Sequence, residues 1–305
     1  MSKNKEAFVE QVFGPVRFLP GPNRGKYPHC HSVFIEEAGV LIDPASDRDR
    51  LMELRDEGKV KAIWLTHWHE DHIAHLDLFE DLPLWICEED ALPLSSKEIF
   101  CDWYGMDRPG VEDVRAYWMA ILDDQFHFKP RTPDRYFVDG ETINLGNVTV
   151  DVIHAPGHTP GHTCFFFREP EVLFMGDYDL TPFGPWYGDV TSSIEQTRAS
   201  VEKLRQVPAK IWLACHETGV FTTQPGSMWG EYLQVIQTRE DKLLKFLSEP
   251  RTMEDIIHHW IVYLKPRQPK EFYEQGERAI MGKHLESLIA RGKVFTRDGH
   301  YELES

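Results

Sequence analysis

A seven-residue segment of the chain carries four side chains of the types that bind metal ions. Residues 66–72 read Thr-His-Trp-His-Glu-Asp-His, which places His67, His69, Asp71 and His72 within six positions. Imidazole nitrogens and carboxylate oxygens are the ligands that Zn²⁺ takes in catalytic sites, where one coordination position stays open for water. Because so dense a group of ionisable side chains costs folding free energy unless it is neutralised, the segment predicts a catalytic metal site.

The residues before this segment predict the element that holds it. Residues 60–65 (Val-Lys-Ala-Ile-Trp-Leu) form an apolar run that is typical of a buried strand. A strand that ends in the cluster would keep the ligands on a rigid edge, and the turn after it would point them in different directions. The chain has 15 histidines, and alternate strand residues share a face by geometry alone, so one pair of histidines would be weak evidence. Four such residues after a buried strand favour metal binding.

The spacing HxHxDH resembles the signature of the metallo-β-lactamase superfamily, and other segments resemble the rest of that pattern in the same order. They are residues 40–43 (Val-Leu-Ile-Asp), 155–162 (Ala-Pro-Gly-His-Thr-Pro-Gly-His), 173–177 (Leu-Phe-Met-Gly-Asp) and 211–216 (Ile-Trp-Leu-Ala-Cys-His). The resemblance covers about residues 10–220. It implies an αβ/βα sandwich with the metal ions at one edge between two sheets, and a supporting role for Asp43.

The resemblance also implies which side chains bind which ion. His67, His69 and His158 would bind the first ion, Asp71, His72 and His216 the second, and Asp177 would bridge them around a shared hydroxide. Two ions roughly 3.5–4 Å apart can activate a bridging water and stabilise the oxyanion of a tetrahedral intermediate. We therefore expect a dinuclear site for two divalent ions, with Asp71 and Asp177 as the catalytic carboxylates. Zn²⁺ is the first choice, and Fe or Mn are alternatives.

One motif departs from the family pattern, and four further side chains near the motifs are candidates for supporting roles. The family's final ligand usually stands in Gly-His-Gly, whereas residues 215–217 read Cys-His-Glu. This departure concerns the shape of the loop more than the ligand His216. His162 and Asp179 are interpreted as supporting residues, because outer carboxylates commonly orient metal-bound histidines. His29 and His31 either line the same cleft or are structural.

The composition predicts a folded protein with reduced cysteines. Hydrophobic residues make up 41% of the 305 residues, which suffices for a packed core. No apolar run reaches the roughly 18 residues of a membrane helix, and the first residues lack the apolar core of a signal peptide. Five cysteines without CxxC spacing indicate free thiols and a cytoplasmic location. Cys215 could be read as a nucleophile, but metal binding by its neighbour His216 is the favoured interpretation.

The charge of the chain bears on its substrate. There are 33 basic and 50 acidic residues, which gives a net charge of −17. From Arg239 to the end the chain has 12 basic and 12 acidic residues, so the excess of acid lies in the first part. An acidic surface repels polyanions. We expect a small-molecule substrate, no membrane partner, a possible homodimer, and nucleic acid only if a local basic patch exists.

Apolar patterns predict an α+β fold. Strands are expected at residues 32–36, 40–42, 60–65, 84–87, 148–153, 164–167, 172–175 and 211–214, and helices at 47–57 and 192–206. This mixture suits a four-layer αβ/βα metallo-β-lactamase sandwich in residues 1–238, followed by a small winged-helix-like domain in residues 239–305.

Two segments are candidates for shaping the substrate pocket. Residues 94–137 carry many aromatic and charged residues and are expected to form a helical insertion. Their aromatics either pack internally, which is favoured, or form a lid or dimer surface that gives the site an apolar wall. Residues 181–188, after Asp177, combine turn formers and aromatics and are expected to face the substrate.

Residues 239–305 are predicted to form helices followed by a hairpin. Thr252 would cap a helix with Ile256, Ile257, Trp260, Ile261 and Leu264 at helical spacing, and a second helix would carry Ile280, His284, Leu285, Leu288 and Ile289 and end at Gly292. Asp298-Gly299 is a favoured hairpin turn. The layout resembles the winged helix of some lactamase-fold proteins. Because the segment has no net positive charge, packing or dimerisation is favoured over DNA binding.

The leading hypothesis is a dinuclear metal-dependent hydrolase, as the glyoxalase II and lactonase branches of the superfamily imply. A metal-bridging hydroxide would attack the carbonyl carbon of a small ester, thioester or lactone, and the metal charge would stabilise the oxyanion. One alternative is a phosphodiesterase or endoribonuclease that uses the same metal pair. Others are an iron-dependent oxidoreductase of the persulfide-dioxygenase kind and a non-enzymatic metal-binding regulator.

Overall fold

Residues 9–304 are described by the structure, which is a computed structural model. Seven strands form the first sheet and lie side by side in chain order. They are β1 (Gln11–Phe13), β2 (Val16–Leu19), β3 (Ser32–Ile35), β4 (Val40–Ile42), β5 (Ala62–Trp64), β6 (Leu84–Cys87) and β7 (Arg135–Phe137). Strands β1 to β4 pair antiparallel and β4 to β7 pair parallel. The parallel half brings the ends of β4 and β5 to one edge, where residues 43 and 66–72 follow.

The second sheet has six strands in the order β13-β12-β11-β10-β9-β8. They are β8 (Thr142–Asn144), β9 (Thr149–His154), β10 (Thr163–Phe167), β11 (Val172–Phe174), β12 (Ile211–Leu213) and β13 (Val220–Phe221). Only the β11–β12 pair is parallel in this sheet. Asp177 and His216, which follow these two strands, therefore leave the sheet at the same edge.

The helices of the described residues cover the outer faces of both sheets or, near the C-terminus, pack against one another. They are α1 (Arg48–Asp56), α2 (Lys97–Trp103), α3 (Glu112–Asp124), α4 (Ile194–Arg205), α5 (Met228–Phe246), α6 (Met253–Ile257) and α7 (Lys270–Ala290), besides the short 3₁₀ segments Pro22–Gly25, Leu76–Phe79, Glu88–Asp90 and Leu92–Ser95. Inward-facing residues of the two sheets, such as Ile35 and Phe165, share one core. Leu51 of α1 packs outside the first sheet, and Val201 of α4 packs outside the second. The result is the expected four-layer sandwich.

The predicted insertion is helical only in its first part. Helices α2 and α3 lie within residues 97–124, whereas residues 135–137 form β7 and extend the first sheet. Phe100, Phe126 and Phe128 are buried in the core, as the internal-packing interpretation expects. Tyr104 and Trp118 are also buried but line the central cavity, so part of the segment contributes an apolar wall to it. The lid and dimer roles stay predictions.

The boundary predicted after residue 238 lies inside α5, which runs unbroken from Met228 to Phe246. The first half of this helix packs on the second sheet through Trp229 and Tyr232. Its second half packs against α6 and α7 through Leu243. A single helix thus joins the core of the sandwich to the C-terminal elements.

One C-terminal helix is much shorter than predicted. Thr252 caps α6 as expected, with a capping box to Asp255, but α6 ends at Ile257. The prediction of one helix up to residue 264 is wrong because Trp260 and Leu264 have positive φ angles of 54° and 66°. The side chain of Glu277 from α7 accepts the backbone N–H groups of residues 262 and 263, which a helix would have used.

The remaining C-terminal predictions are confirmed at the level of single elements. Helix α7 ends at Ala290, and Gly292 follows it with a φ of 66°. Strands β14 (Val294–Arg297) and β15 (His300–Leu303) form the hairpin, with Asp298 and Gly299 both at positive φ. The winged-helix assignment itself stays a prediction. Within residues 9–304 no helix is long and apolar enough to cross a membrane.

Candidate metal centre

The predicted ligands come from four strand ends that meet between the two sheets. The segment after β5 is fixed by Thr66, whose backbone N–H and hydroxyl both donate to the carboxylate of Asp43, each at 2.8 Å. The backbone N–H of Thr163 donates to the carbonyl of Thr66 at 2.8 Å and so ties the first sheet to the second. These hydrogen bonds join backbone groups and short side chains. They therefore restrict the positions of the predicted ligands that follow Thr66.

Three histidines and one carboxylate form the first half of the cluster. Nε2 of His158 lies 3.1 Å from Nε2 of His67 and 3.1 Å from Nδ1 of His69. Oδ2 of Asp177 lies 3.3 Å from Nε2 of His158. All four side chains offer ligand atoms within 4.8 Å of one another. Three imidazole nitrogens and a carboxylate oxygen this close together are the donor set that a divalent cation binds.

The second half contains Asp71, His72 and His216, whose ligand atoms also lie within 4.8 Å of one another. Nε2 of His216 lies 3.4 Å from Oδ2 of Asp71 and 3.2 Å from Oδ1 of Asp177. Nε2 of His72 lies 2.9 Å from the same Oδ1. Asp177 therefore presents one oxygen to each half, which is the geometry expected of a bridging carboxylate.

In each of the five histidines, the ring nitrogen that points away from the cluster has its own partner. Nδ1 of His67 lies 2.9 Å from Thr66 Oγ1, Nε2 of His69 lies 2.8 Å from Asp189 Oδ2, Nδ1 of His72 lies 3.0 Å from Asp43 Oδ2, Nδ1 of His158 lies 3.1 Å from the carbonyl of Trp186, and Nδ1 of His216 lies 2.7 Å from the carbonyl of Gly25. Metal-binding histidines almost always use their second nitrogen in this way, because the contact fixes the ring and the tautomer.

Two buried atoms at the centre of the cluster lack a hydrogen-bond partner. They are Nε2 of His72 and Oδ1 of Asp177. Their separation of 2.9 Å is short, but its geometry is not that of a hydrogen bond. Buried polar atoms are otherwise almost always satisfied. These two atoms are of ligand type and lie unpaired between the two halves of the cluster, which indicates that the residues fit bound cations.

The electrostatics of the bare cluster point the same way. Burial lowers the pKa of His158 to about 4 and that of His67 well below its ordinary value, so both rings are neutral at pH 7 with lone pairs available. Burial opposes protonation of His216 as well, but the carboxylate of Asp177 outweighs it and raises the pKa of His216 far above its ordinary value. The second half therefore attracts positive charge, which a divalent ion supplies better than a proton.

Asp189 supports the site and did not stand out in the sequence. It is fully buried, its Oδ2 contacts His69, and its Oδ1 accepts the indole N–H of Trp186 at 2.9 Å. Burial opposes a charged His69, but the carboxylate of Asp189 raises the pKa of His69 to about 9. Asp189 also follows directly on the loop at residues 181–188, which is the one signal that could have identified it.

A second set of unpredicted residues surrounds Glu70. One oxygen of the Glu70 carboxylate accepts the hydroxyl of Tyr27 at 2.8 Å, and the other accepts the hydroxyl of Tyr104 at 2.6 Å. Both tyrosines line the cavity above the cluster. Glu70 is one of the two variable positions within HxHxDH, so the signature alone gave no reason to assign it a role.

The cluster forms the floor of a cavity of about 610 Å³. Residues of the loop 181–188, among them Phe183 and Trp186, line it as expected. Five of the predicted ligands also line the cavity, namely His69, Asp71, His158, Asp177 and His216. A cavity of this size suits a small molecule, with the cluster at its base.

The remaining candidates lie around the cluster rather than in it. His162 is buried and accepts the backbone N–H of Asp177 at 3.2 Å, which is consistent with a supporting role. Asp179 lines the cavity; burial raises its pKa to about 7, and its carboxylate accepts the backbone N–H of Thr181. His31 is buried and accepts the N–H of Gly21, whereas His29 borders a separate, smaller cavity. Neither His29 nor His31 lines the main cavity.

Cys215 does not have the surroundings of a nucleophile. Its thiol is buried, donates to Asp43 Oδ2 at 3.5 Å and lies outside the lining of the main cavity. Burial raises its pKa well above the ordinary value. Since the thiolate is the reactive form of cysteine, these features disfavour a catalytic thiol.

Two packed mixed sheets with a His/Asp cluster at one edge define the metallo-β-lactamase class of fold and site. A profile of the metallo-beta-lactamase superfamily matches residues 26–216, and the chain belongs to that superfamily. The resemblance drawn from the sequence motifs is thereby confirmed.

Named relatives and a solved structure agree with this membership. The chain is 26% identical over 269 residues to the atrochrysone carboxyl ACP thioesterase of Claviceps purpurea, covering 82% of this chain and 73% of that protein. It is 28% identical over 162 residues to the hydroxyacylglutathione hydrolase GloC of Haemophilus influenzae, covering 49% of this chain and 65% of that protein. A metallo-beta-lactamase family protein from Thermus thermophilus superposes with a TM-score of 0.72 at 22% identity, covering 95% of this chain and 99% of that one, and shows the same fold.

Proposed function

We propose that the chain is a dinuclear metal-dependent hydrolase of small esters, thioesters or lactones, with thioesters as the preferred class. The observation that carries this proposal is the cluster itself, in which the seven predicted ligand residues converge at the base of a cavity with Asp177 between the two halves. Two bound divalent ions, Zn²⁺ as the first choice, would supply an activated water and a Lewis acid for the carbonyl oxygen.

The chain's own residues fix the geometry of that chemistry. His67, His69 and His158 would hold one ion, and Asp71, His72 and His216 the other, with Asp177 shared. Contacts to Thr66, Asp43 and Asp189 hold the histidine rings in place. The site therefore needs little rearrangement on binding a substrate, which is the condition for effective electrostatic stabilisation of an oxyanion.

Three observations support a carbonyl substrate over a phosphodiester. The relatives include proteins named as an ACP thioesterase and as a hydroxyacylglutathione hydrolase, and both names describe the hydrolysis of thioesters. The main cavity is bounded by Tyr104, Trp118 and Phe272, which suits an apolar acyl group better than a polyanionic strand. A net charge of −17 adds long-range repulsion of nucleic acid.

A substrate panel tests the proposal. Purified protein would be loaded with the metal that it binds and assayed on an ester, a thioester, a lactone and a phosphodiester. We expect turnover of the thioester, and its loss in the His158→Ala and Asp177→Ala variants. Turnover confined to the phosphodiester, or thioester turnover that survives both substitutions, would contradict the proposal.

A further inference from the structure

The cavity continues well beyond the metal cluster, and its outer part has two different walls. One is built of stacked aromatic rings and reaches α7, and the other carries solvent-exposed cations. None of these residues is a predicted metal ligand. Their arrangement therefore bears on the substrate.

The aromatic wall is a continuous stack that begins at a predicted metal ligand. The ring of Tyr104 stacks on His69 with centroids 5.3 Å apart, and Trp118 packs on Tyr104 at 4.9 Å. Phe272 of α7 stacks on Trp118 at 5.8 Å and on Tyr27 at 5.1 Å. Gln275 of the same helix donates to the carbonyl of Tyr104 at 2.8 Å and fixes α7 against the wall. Such a surface accommodates an apolar acyl group beside the reacting carbonyl.

The cationic wall comes from three separate segments. Lys26, Lys242 of α5 and Arg267 line the cavity and are exposed. None of the three forms an ion pair with a carboxylate of residues 9–304. The guanidinium of Arg267 lies over the rings of Tyr263 and Tyr273, at 5.8 and 5.6 Å from their centroids, which holds it at the rim.

The acidic residues that line the cavity lie mostly in or beside the cluster, whereas the exposed cations lie outside it. Glu70, Asp71, Asp177 and Asp179 lie in or beside the metal cluster. Outside that floor, Glu217 is the one carboxylate that lines the cavity in the described part of the chain. In a protein with a net charge of −17, the cavity lining outside the cluster carries four cations, Lys26, Arg239, Lys242 and Arg267, and one carboxylate, which is a local reversal of sign. Such a reversal in a cleft concentrates anions at its entrance.

We propose that the substrate is a thioester of an anionic thiol carrier, with its acyl group on the aromatic wall and the carrier's phosphate or carboxylate at Lys242 and Arg267. The inference rests on the proposed function, since it assigns the two ends of the molecule whose carbonyl reaches the metal cluster. Water adds to the carbonyl carbon, the carbon–sulfur bond breaks, and the products are a carboxylic acid and the free thiol. The anionic end leaves with the thiol, at the open side of the cavity.

Binding of non-hydrolysable analogues tests this inference without relying on turnover. The metal-loaded protein would be titrated in a calorimeter with S-hexyl-coenzyme A, S-hexylglutathione and the neutral S-hexyl-N-acetylcysteamine. We expect at least one of the two anionic thioethers to bind about tenfold or more tightly than the neutral one, and to lose that advantage as salt is added. A preference for the coenzyme A analogue identifies phosphate as the anion, and one for the glutathione analogue identifies carboxylate.

Charge reversal assigns the effect to the named residues. The double variant Lys242→Glu/Arg267→Glu should weaken binding of the preferred anionic analogue about tenfold or more and leave the neutral one unchanged. Lys245→Glu is the matched control, because Lys245 lies on the same helix α5, is also exposed and does not line the cavity. Lys26 is left intact because the carbonyl of its neighbour Gly25 contacts the predicted ligand His216.

The outcomes separate this inference from the proposed function. Equal affinity for charged and neutral analogues, or no response to the double charge reversal, would overturn the anionic carrier even if thioesters are hydrolysed. Selective binding of an anionic analogue that depends on Lys242 and Arg267 would support it even if the thioester panel fails. In that case the proposed hydrolysis, and not the anion site, would be wrong.

Discussion

The carboxylate of Asp189 lies 2.8 Å from Nε2 of His69, although the two residues are 120 positions apart in the chain. Both side chains are buried, and the contact leaves Nδ1 of His69 directed at His158. Asp189→Ala should therefore lower metal affinity by about 10- to 100-fold, which is typical when the partner of a metal-binding histidine is removed. Competition with a chromogenic chelator measures this affinity.

The control for this substitution is Asp107→Ala, because Asp107 is an exposed carboxylate outside the cluster. Its metal affinity should match that of the unsubstituted protein. Equal affinities for the Asp189 and Asp107 variants would show that the His69 contact does not orient a ligand.

Removal of the shared carboxylate should be more severe. Asp177 contributes one oxygen to each half of the cluster, so Asp177→Ala should release at least one ion per chain and lower activity by orders of magnitude. The thermal transition and circular dichroism should still report a folded chain. Elemental analysis after dialysis gives the metal content, with His300→Ala, next to the C-terminal hairpin turn and distant in sequence from every ligand, as the control. Full metal content in the Asp177→Ala variant would show that Asp177 does not bind the metal ions.

The aromatic wall predicts a defect in substrate binding without a defect in metal binding. Phe272 packs against both Trp118 and Tyr27, and aromatic contacts of this kind contribute about 0.5–1.5 kcal/mol each. Phe272→Ala should raise the KM for an acyl thioester by about 3- to 10-fold with unchanged metal content. Phe295→Ala in the C-terminal hairpin is the matched control. A lower metal content in the Phe272 variant, or an unchanged KM, would contradict the assigned wall.

Asp90, which is not itself a predicted metal ligand, predicts a pH dependence of stability. Burial raises the pKa of its carboxyl group from 3.8 to about 7, although the hydroxyl of Thr159 and the N–H of Gly161 both donate to it. The native state therefore keeps this proton up to about pH 7, whereas the unfolded chain loses it near pH 4. Because the native state binds more protons in this window, the contribution of Asp90 to stability falls as pH rises.

Asp90→Asn removes this titration and should flatten the curve. Between pH 4 and 7 the free energy of unfolding of the natural chain should decline relative to that of the variant, on the order of 1–3 kcal/mol. Urea unfolding at several pH values measures the difference, and proton effects at the metal cluster cancel because both proteins share them. A difference that stays constant over this range would show that Asp90 is already charged when buried.

Sequence reasoning identified the residues that form the cluster because they follow short buried strands. The expected strands at 40–42 and 84–87 agree with β4 and β6. The strand expected at 60–65 is shorter in the structure, where it spans Ala62–Trp64. Local apolar patterns determine such elements, and each ligand motif directly follows one. The order of the motifs along the chain was therefore enough to predict the cluster.

Long-range contacts explain what the sequence did not reveal. The apolar spacing after Thr252 suggested a long helix, but Glu277 binds the backbone of residues 262 and 263 and stabilises a different path. The partnership of Asp189 with His69 depends on how the two sheets pack, which no local pattern encodes. Likewise, the continuity of α5 across residue 238 joins the C-terminal elements to the cavity, where the pattern of helices followed by a hairpin suggested a separate unit.

Anomalous diffraction from crystals of the zinc-loaded protein tests the central claim most directly. The account predicts two zinc peaks about 3.5–4 Å apart. One should lie among His67, His69 and His158, the other among Asp71, His72 and His216, and Asp177 should contact both. A single peak, or peaks remote from these side chains, would contradict the dinuclear site on which the proposed hydrolysis depends.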